Sequence, residues 1–251
     1  MTRVILNGCN GRMGKTLATL IASQQNVEVV AGIDLNQGDA SFPVFSSLSE
    51  CDVIADVIID FSTPQSLHSY VPSAVEKGLA LVVATTGLEE KELSLLEEAS
   101  SKIAIFRSGN MSLGINLLQK VVATAAKVLA DSFDVEIVEK HHNQKQDSPS
   151  GTALMLADSV NEALDNSLSY TFGRHGLKTK REKGELGIHA VRGGTIVGEH
   201  EVLFAGEDEV ISFSHRAFSR NVFATGAIAA AKYITTVAPG IYNMSDMLAL
   251  I

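Results

Sequence analysis

The densest group of chemically competent side chains in the sequence lies in one polar segment. Residues 141–152 are His-His-Asn-Gln-Lys-Gln-Asp-Ser-Pro-Ser-Gly-Thr, and an apolar helical run follows them. The two imidazoles and the ammonium of Lys145 can bind an anionic group and transfer a proton to it. The backbone amides of Gly151 and Thr152, at the start of the helix, form a site for a carboxylate. On composition alone, a polar loop before a capped helix accounts for the same residues.

A glycine-rich turn near the start of the chain indicates a different kind of site. Gly8, Gly11 and Gly14 lie between the first apolar strand and the first helix. Glycines there permit a tight turn and bring a pyrophosphate close to the amides of the helix N-terminus. Asp34 follows the second strand, where an acid accepts hydrogen bonds from the adenosine ribose of a dinucleotide. Because the spacing is Gly-x-x-Gly-x-x-Gly and not Gly-x-Gly-x-x-Gly, a turn without any ligand stays open.

Two further polar turns support a dinucleotide site. Residues 84–87 (Ala-Thr-Thr-Gly) and 108–111 (Ser-Gly-Asn-Met) each follow a short apolar run. Both turns would lie at carboxyl ends of parallel strands, the edge at which such sheets bind ligands. Leu35 cannot pair with a phosphate on the ribose, and Asp34 would repel one. We therefore expect NADH to be preferred or equal; Arg12 in the glycine turn could reach a 2'-phosphate, so NADPH is not excluded.

The elements that must position these residues follow from the hydrophobic pattern. Through the first hundred or so residues, short apolar runs alternate with amphipathic stretches, a pattern typical of a doubly wound parallel sheet with crossover helices. A helical pattern then covers 112–130, a strand-like run covers 133–139, and 187–213 alternates in the manner of an antiparallel sheet. The polar segment 166–185 carries five Lys or Arg residues and is expected to be a mobile loop.

The predicted fold class is therefore α/β, a Rossmann-like doubly wound parallel sheet plus a second α+β domain with a mostly antiparallel sheet. An alanine-rich helical stretch at 221–235 has the composition to pack against the first domain again. Residues 1–111 and 220–251 form the predicted dinucleotide-binding domain. Residues 112–219 form the predicted substrate-binding and oligomerisation domain.

Composition excludes several classes of partner. The formal net charge is -9 and the lysines and arginines are scattered, so no continuous basic face is available for a nucleic acid. The longest apolar runs are too short to span a bilayer, and the chain opens into a strand without a charged leader and an apolar signal core. Cys9 and Cys51 are the only cysteines, and no Cys-x-x-Cys or His-x-x-x-His pair occurs. We expect a cytoplasmic protein with no disulfide framework and no metal.

Several of these motifs occur together in a known enzyme family. Residues 139–153 contain a His pair, a lysine three residues on, and Pro-Ser-Gly-Thr-Ala. The accompanying motifs are Gly-Arg-Met-Gly at 11–14, Asn-Met-Ser-Leu-Gly at 110–114, Arg-Gly-Gly at 192–194, Gly-Glu-His at 198–200 and Ser-Arg at 219–220. With these motifs, nearly the whole chain resembles the dihydrodipicolinate reductase family, now usually called the 4-hydroxy-tetrahydrodipicolinate reductases.

The resemblance implies a role for each matching residue. The implied catalytic proton-transfer pair is His141 and Lys145. The residues implied to hold the carboxylates of a small cyclic dicarboxylate substrate are His142, Ser150, Gly151 and Thr152. The implied cofactor contacts are Gly8, Cys9, Asn10, Gly11, Arg12, Met13, Asp34, Ala84, Thr85, Thr86, Ser108, Gly109, Asn110 and Met111. The remaining histidines, His200 among them, are expected to have structural or surface roles.

The reaction of the family explains why such residues are needed. Its substrate, 4-hydroxy-tetrahydrodipicolinate, loses water and then accepts a hydride from NADH or NADPH at a ring carbon conjugated with the C=N bond, in diaminopimelate and lysine biosynthesis. A positioned acid that supplies the proton contributes about 10²-fold to 10⁴-fold. Leu35 stands where some members have a phosphate-binding arginine, which favours NADH, and Ala84 stands where many have glycine. The resemblance also implies a homotetramer formed through the sheet of the second domain.

Two other functions stay open. Another two-domain dehydrogenase of amino-acid metabolism would share the nucleotide half but not the paired-histidine motif. A redox-responsive NAD-binding regulator that does no chemistry predicts a DNA-binding or partner-binding module, and the sequence shows none. A regulator also has no use for His141 and Lys145 grouped with a carboxylate site on one segment.

Overall fold

The computed structural model describes residues 1–249, which fold into two compact units. One unit consists of Met1–Ser112 together with the segment that begins at Asn221, and the other is Leu113–Arg220. Residues 250 and 251, which the sequence prediction assigned to the first domain, lie outside the described residues. No helix within residues 1–249 combines the length and the apolar character needed to cross a bilayer.

Strands and helices alternate along most of the chain. In chain order they are β1 (Thr2–Asn7), α1 (Arg12–Ala22), β2 (Val27–Ile33), β3 (Val44–Phe45), β4 (Val57–Asp60), α2 (Pro64–Lys77), β5 (Ala80–Val83), α3 (Glu90–Ser100), β6 (Ala104–Arg107), α4 (Leu113–Leu129), β7 (Asp134–His141), α5 (Gly151–Glu162), β8 (Ser169–Phe172), β9 (Glu185–Arg192), β10 (Gly198–Ala205), β11 (Val210–Ala217), α6 (Asn221–Ile234), β12 (Gly240–Tyr242) and α7 (Met244–Leu248).

The first unit contains a seven-stranded parallel sheet in the order β12-β6-β5-β4-β1-β2-β3. Every residue of β4 and β5 is buried, because helices cover both faces of a parallel sheet and its strands become continuous apolar runs. The strand order reverses direction between β1 and β4, which opens a crevice at the carboxyl ends of these strands. The predicted Rossmann-like fold class is confirmed.

Two layers of helices cover this sheet. Ile5, Ile58 and Leu81 lie in one apolar cluster with residues of α2 and α3, while α1 and α6 pack against each other and α6 contacts β1, β4, β5 and β6. The small side chains of α6, including the fully buried Ala224 and Ala227, allow this helix to approach the sheet closely. Pro64 begins α2 and Gly78, with φ 65°, ends it, positions at which these residue types are favoured.

The second unit contains a five-stranded sheet in the order β11-β10-β7-β9-β8. β10 pairs antiparallel with β7 and β11, but β9 pairs parallel with β7 and β8. The sheet is therefore mixed, whereas the sequence prediction described it as mostly antiparallel. Alternation of apolar and polar residues reports which side of a strand is buried, not the direction of its neighbour.

Part of the segment expected to be a mobile loop is ordered against this sheet. Residues 169–172 form the edge strand β8, and two arginines of the segment reach the carboxylate of Glu136 on β7. Arg174 Nη1 donates to Glu136 Oε2 at 2.9 Å, and Arg181 Nε donates to Oε1 at 3.0 Å. Two of the five basic residues that made the segment look solvated are thus ion-pair partners of a strand, which no local pattern reports.

Candidate active site

His141 ends β7 with its imidazole held by a carboxylate from the same strand. Glu139 precedes it by two residues, so both side chains project from the same face of the sheet. Nδ1 of His141 lies 2.7 Å from Oε2 of Glu139, and His141 and Glu139 are only 8% and 0% exposed. This contact orients the ring and directs Nε2 away from the carboxylate.

The carboxylate of Glu139 accepts four hydrogen bonds. Arg192 of β9 donates Nη1 to Oε2 and Nη2 to Oε1, each at 2.7 Å, and the backbone N–H of Ser150 donates to Oε1 at 2.9 Å. Burial by itself would raise the pKa of Glu139, but the bonds from His141, Arg192 and Ser150 outweigh it and lower that pKa to about 2. Glu139 is therefore ionised at neutral pH, as a fully bonded buried carboxylate should be.

Ser150 joins this cluster to the start of α5. Its side chain occupies the N-cap position and accepts a hydrogen bond from the backbone N–H of Ala153 at 3.2 Å. Gly151, which is exposed, and Thr152, which is partly buried, form the first helical turn. The N-terminus of a helix carries a partial positive charge, so this turn is suited to attract a carboxylate.

Lys145 lies in the loop between β7 and α5, partly buried at 21% side-chain exposure, with its Nζ 2.8 Å from Oδ1 of Asp147. Burial opposes ionisation of Asp147, but the neighbouring ammonium lowers the pKa of this carboxyl below its ordinary value. Arg192 Nη2 donates to the carbonyl oxygen of Asp147 at 2.7 Å, so the arginine that binds Glu139 also fixes the loop. His142, partly buried, lies at the start of this loop.

His200 of β10 completes the cluster. Its Nε2 lies 3.0 Å from Oγ of Ser150, and its ring meets that of His141 edge to face at a centroid distance of 5.1 Å. Burial, together with the nearby His141, lowers the pKa of His200 to about 3. A neutral ring at this position packs against His141 without repelling a proton on it.

The prediction from sequence placed His141 and Lys145 in one segment but did not include the residues that contact this segment in the structure. Glu139, Arg192 and His200 were not among the predicted site residues, and His200 was expected to have a structural or surface role. One signal was available: Glu139 ends the predicted strand-like run 133–139, and a strand two residues longer would place Glu139 and His141 on one face. The motifs at 192–194 and 198–200 contain Arg192 and His200, but no local pattern shows that Arg192 contacts Glu139, because it comes from another strand.

Arg192→Ala should destabilise the second unit strongly. The substitution leaves the buried carboxylate of Glu139 without its counter-ion, and loss of one partner of a buried pair costs about 3 to 5 kcal/mol. The matched control is Arg216→Ala, which breaks the ion pair between Arg216 and Glu199. Because the side chain of Arg216 is 59% exposed, its loss should lower the free energy of unfolding by less than about 1 kcal/mol. Urea unfolding of both variants measures the difference; equal stabilities would contradict this account of the Arg192–Glu139 pair.

In the first unit, the glycine turn between β1 and α1 is tightly closed. Gly8 has φ 77°, in the left-handed region that favours glycine, and its carbonyl accepts the N–H of Gly11 at 3.1 Å. A Cβ on Gly14 would lie 2.3 Å from the carbonyl oxygen of Gly8. Gly11 is at the N-cap of α1 and, lacking a side chain, cannot cap the helix itself, so the turn fits a pyrophosphate at this N-terminus.

Asp34 is held directly beside this turn. Its Oδ2 accepts the N–H of Asn10 at 3.0 Å and its Oδ1 accepts the N–H of Asn36 at 3.1 Å. Cys9 turns its side chain into the core against Gly32, and burial, together with the charge of Asp34, raises the pKa of its thiol to about 11. Cys9 can therefore offer a ligand its backbone but not a reactive thiolate.

The turn after β5 is anchored on a buried acid that was not predicted. Thr85 Oγ1 donates to Asp60 Oδ2 at 2.7 Å, and Asn7 Nδ2 donates to Oδ1 at 2.8 Å. Asp60 is 1% exposed, and burial raises the pKa of its carboxyl, against the effect of its hydrogen bonds from Ser62, Thr85 and Asn7. The carboxyl ends of β1, β4 and β5 are thus tied together at the crevice.

The remaining predicted cofactor residues lie at the same edge of the sheet. Ser108 Oγ donates to the carbonyl of Asn110 at 2.8 Å, and Asn110 Oδ1 accepts the N–H of Ser112 at 2.8 Å, so the turn after β6 is locally rigid. Arg12, Thr86 and Gly109 are exposed, Met13 is partly buried, and Ala84 and Met111 are buried. Within residues 1–249, no group of three or more His, Cys, Asp or Glu side chains is arranged to hold a metal ion.

Two family models match consecutive parts of the chain, and the second of them includes the segment after residue 220 that the structure places in the first unit. Models described as "Dihydrodipicolinate reductase, N-terminus" and "Dihydrodipicolinate reductase, C-terminus" match residues 2–111 and 114–248. Relatives named 4-hydroxy-tetrahydrodipicolinate reductase are 53% identical in Caldanaerobacter subterraneus subsp. tengcongensis, over 98% of each chain, and 47% identical in Clostridium tetani, over 99% of this chain and 97% of the other.

Solved structures give the same picture. A dipicolinate-bound dihydrodipicolinate reductase from Paenisporosarcina sp. TG-14 has a TM-score of 0.80 and 25% identity, with 97% of each chain covered. A DAP dehydrogenase from C. glutamicum, at 15% identity and a TM-score of 0.60, with 97% of this chain and 92% of the other covered, shares the fold alone.

The parallel sheet, the glycine turn and the structural neighbours define an oxidoreductase of the Rossmann-like dehydrogenase class, which uses a nicotinamide cofactor. More specifically, the chain belongs to the dihydrodipicolinate reductase family. The predicted family and enzyme class are confirmed.

Proposed function

We propose that this chain reduces 4-hydroxy-tetrahydrodipicolinate to tetrahydrodipicolinate with NADH or NADPH, in diaminopimelate and lysine biosynthesis. The observation that carries the proposal is the cluster in the second unit, where His141, Lys145 and the N-terminus of α5 are fixed around one segment. The names of relatives that are up to 53% identical over 98% of the chain support the same substrate.

The residues of the second unit divide the work of binding and proton transfer. A carboxylate of the substrate binds at the first turn of α5, where Ser150, Gly151 and Thr152 and the neighbouring His142 favour a negative charge. Lys145 supplies a second positive charge, and Lys145 or His141 supplies the proton as negative charge develops on the ring. Two anchored carboxylates also orient the reacting ring, which contributes separately to the rate.

The cofactor contacts belong to the first unit. The backbone amides at the start of α1 would hold the pyrophosphate, and Asp34 would accept hydrogen bonds from the ribose hydroxyls. The turns at 84–86 and 108–111 lie at the same crevice and would complete the cofactor site. When bound, the nicotinamide supplies the hydride. The closed geometry of Gly8 and Gly11 supports this assignment, because any side chain there would crowd the approach of a phosphate.

We also propose that NADH is preferred or equal to NADPH. Asp34, fixed by two backbone amides, would repel a 2'-phosphate, and Leu35, 89% exposed, offers it no partner. Leu35→Arg should lower the KM for NADPH about 10-fold, the value of one added charge-assisted contact, with little change for NADH. Leu35→Gln is the uncharged control. A large preference of the wild type for NADPH would contradict the proposal.

A coupled assay tests the reaction itself. Purified protein is added to a dihydrodipicolinate synthase with pyruvate and aspartate semialdehyde, and the loss of NADH and NADPH absorbance is followed in parallel. We expect rapid oxidation that depends on the synthase. Binding of NADH without any turnover would overturn the substrate assignment and return the other dehydrogenases and the NAD-binding regulator to consideration.

The proposed ligand is a small cyclic dicarboxylate, and we propose neither a nucleic-acid nor a membrane partner. The protein is proposed to be a cytoplasmic homotetramer. The net charge of -9 supports the absence of a nucleic-acid partner, and the buried free thiols of Cys9 and Cys51 are compatible with a reducing compartment. The tetramer follows from the family resemblance, and analytical ultracentrifugation would measure it directly.

A further inference from the structure

We infer that Glu139 is a positioning residue for the proposed reaction: its carboxylate selects the Nδ1–H tautomer of His141 and, through the same group, fixes the first turn of α5. The inference rests on the proposed function for its catalytic meaning. The juxtaposition itself, one buried carboxylate that contacts the imidazole, an arginine and the residue that caps a helix, is a property of the fold.

The tautomer follows from the charge of Glu139. An ionised carboxylate only accepts hydrogen bonds, and both oxygens of Glu139 are surrounded by donors, so the nitrogen at 2.7 Å must carry the proton. Neutral His141 is then protonated on Nδ1, and its Nε2 is the atom that takes up and releases a proton.

The surroundings of His141 are compatible with this role. On β10, Gly198 leaves space beside the ring, since a Cβ there would lie 3.0 Å from Nε2. His200, also on β10, is neutral because burial lowers its pKa to about 3. Arg192 on β9 forms its ion pair with Glu139. Lys145 is paired with Asp147. The group that determines the protonated nitrogen of His141 is therefore Glu139.

The second contact of Glu139 ties proton transfer to substrate binding. Oε1 accepts the backbone N–H of Ser150, the residue whose side chain caps α5. Rotation of the carboxylate would therefore disturb both the imidazole and the helix turn proposed to receive the substrate carboxylate. A shift of such a group by about 1 Å costs about 10²-fold in rate.

Nitrogen NMR of histidine-labelled protein tests the tautomer without substrate. The His141 signals, assigned by their loss in His141→Asn, should show the Nδ1–H form in the wild type. In Glu139→Gln they should move toward the Nε2–H form, because the amide group also donates. A wild-type His141 in the Nε2–H form would overturn the inference, and this outcome is read on the wild-type protein, with His141→Asn needed only for the assignment.

Kinetics provide the second readout. We expect Glu139→Gln to lower kcat about 10²-fold with an unchanged KM for NADH. The matched control is Glu136→Gln on the same strand, which loses a comparable carboxylate paired with Arg174, Arg181 and His189. Because none of these partners is a proposed catalytic residue, kcat should stay within about 3-fold of the wild-type value. Equal losses of kcat in the two variants would reduce Glu139 to a structural residue and overturn the inference.

The two proposals fail separately. A chain with the expected tautomer and no synthase-dependent oxidation of NADH would overturn the proposed reaction but leave the effect of Glu139 on His141. A chain that carries out the reaction with His141 in the Nε2–H form would do the opposite.

Discussion

Lys145→Ala should lower kcat for the synthase product by about 10²-fold to 10⁴-fold, the usual contribution of a positioned acid, while NADH binds as before. The ammonium lies in the loop between β7 and α5, in the second unit, and its recorded partner is Asp147 at 2.8 Å. The predicted cofactor contacts are all in the first unit, so a selective loss of turnover is expected.

Lys140→Ala is the matched control for this experiment. Lys140 lies on β7 close to the same loop, but its Nζ pairs with Glu199 at 3.3 Å. Loss of a lysine there should leave kcat close to that of the wild type. Single-turnover kinetics and an NADH titration separate chemistry from binding, and a near wild-type rate for Lys145→Ala would remove this lysine from proton transfer.

Gly14→Ala should lower the affinity for NADH by about 10-fold to 100-fold and destabilise the first unit by about 1 to 3 kcal/mol. The added Cβ would meet the carbonyl oxygens of Gly8 and Cys9 at 2.3 and 2.5 Å. Both contacts are backbone atoms, which can yield only if the whole turn moves. The amides proposed to hold the pyrophosphate move with it.

Thr19→Ala provides the control on the same helix. Thr19 is exposed on α1, and its hydroxyl bonds only to the carbonyl of Lys15, so alanine should preserve both stability and binding. Calorimetric titration with NADH and thermal unfolding of the two variants give the comparison. Unchanged NADH affinity in Gly14→Ala would show that the glycine turn is not the pyrophosphate site.

Much of the fold follows from local sequence because its central strands are buried on both faces. β4 and β5 are wholly apolar or nearly so, and such runs are read directly as strands of a parallel sheet. The start of α5 could also be predicted from the sequence, because Ser150 has the residue type and position of an N-cap. The glycine spacing likewise predicted the position of the turn before α1, because those glycines are close together in the sequence.

The missing parts all depend on partners distant in the sequence. Arg192 contacts Glu139, which is 53 residues away in the sequence. The strand β8 pairs with β9, and Arg174, which follows β8, donates to Glu136 on β7. A strand that is buried on one face only alternates in the same way beside a parallel or an antiparallel neighbour, so the mixed sheet of the second unit could not be predicted. The histidine–lysine motif indicated the segment that is proposed as the active site, but the buried residues that contact it could be identified only from the assembled sheet.

The order in which the chain is synthesised bears on how the first unit matures. Residues 1–112 leave the ribosome first, but β12, which borders the sheet, and α6, which packs on β1, β4, β5 and β6, come after residue 220. Until then the part of the sheet that α6 covers and the outer edge of β6 are exposed, a state prone to aggregation. The second unit, continuous in sequence, can fold during this interval, so the nucleotide unit begins first and is completed last.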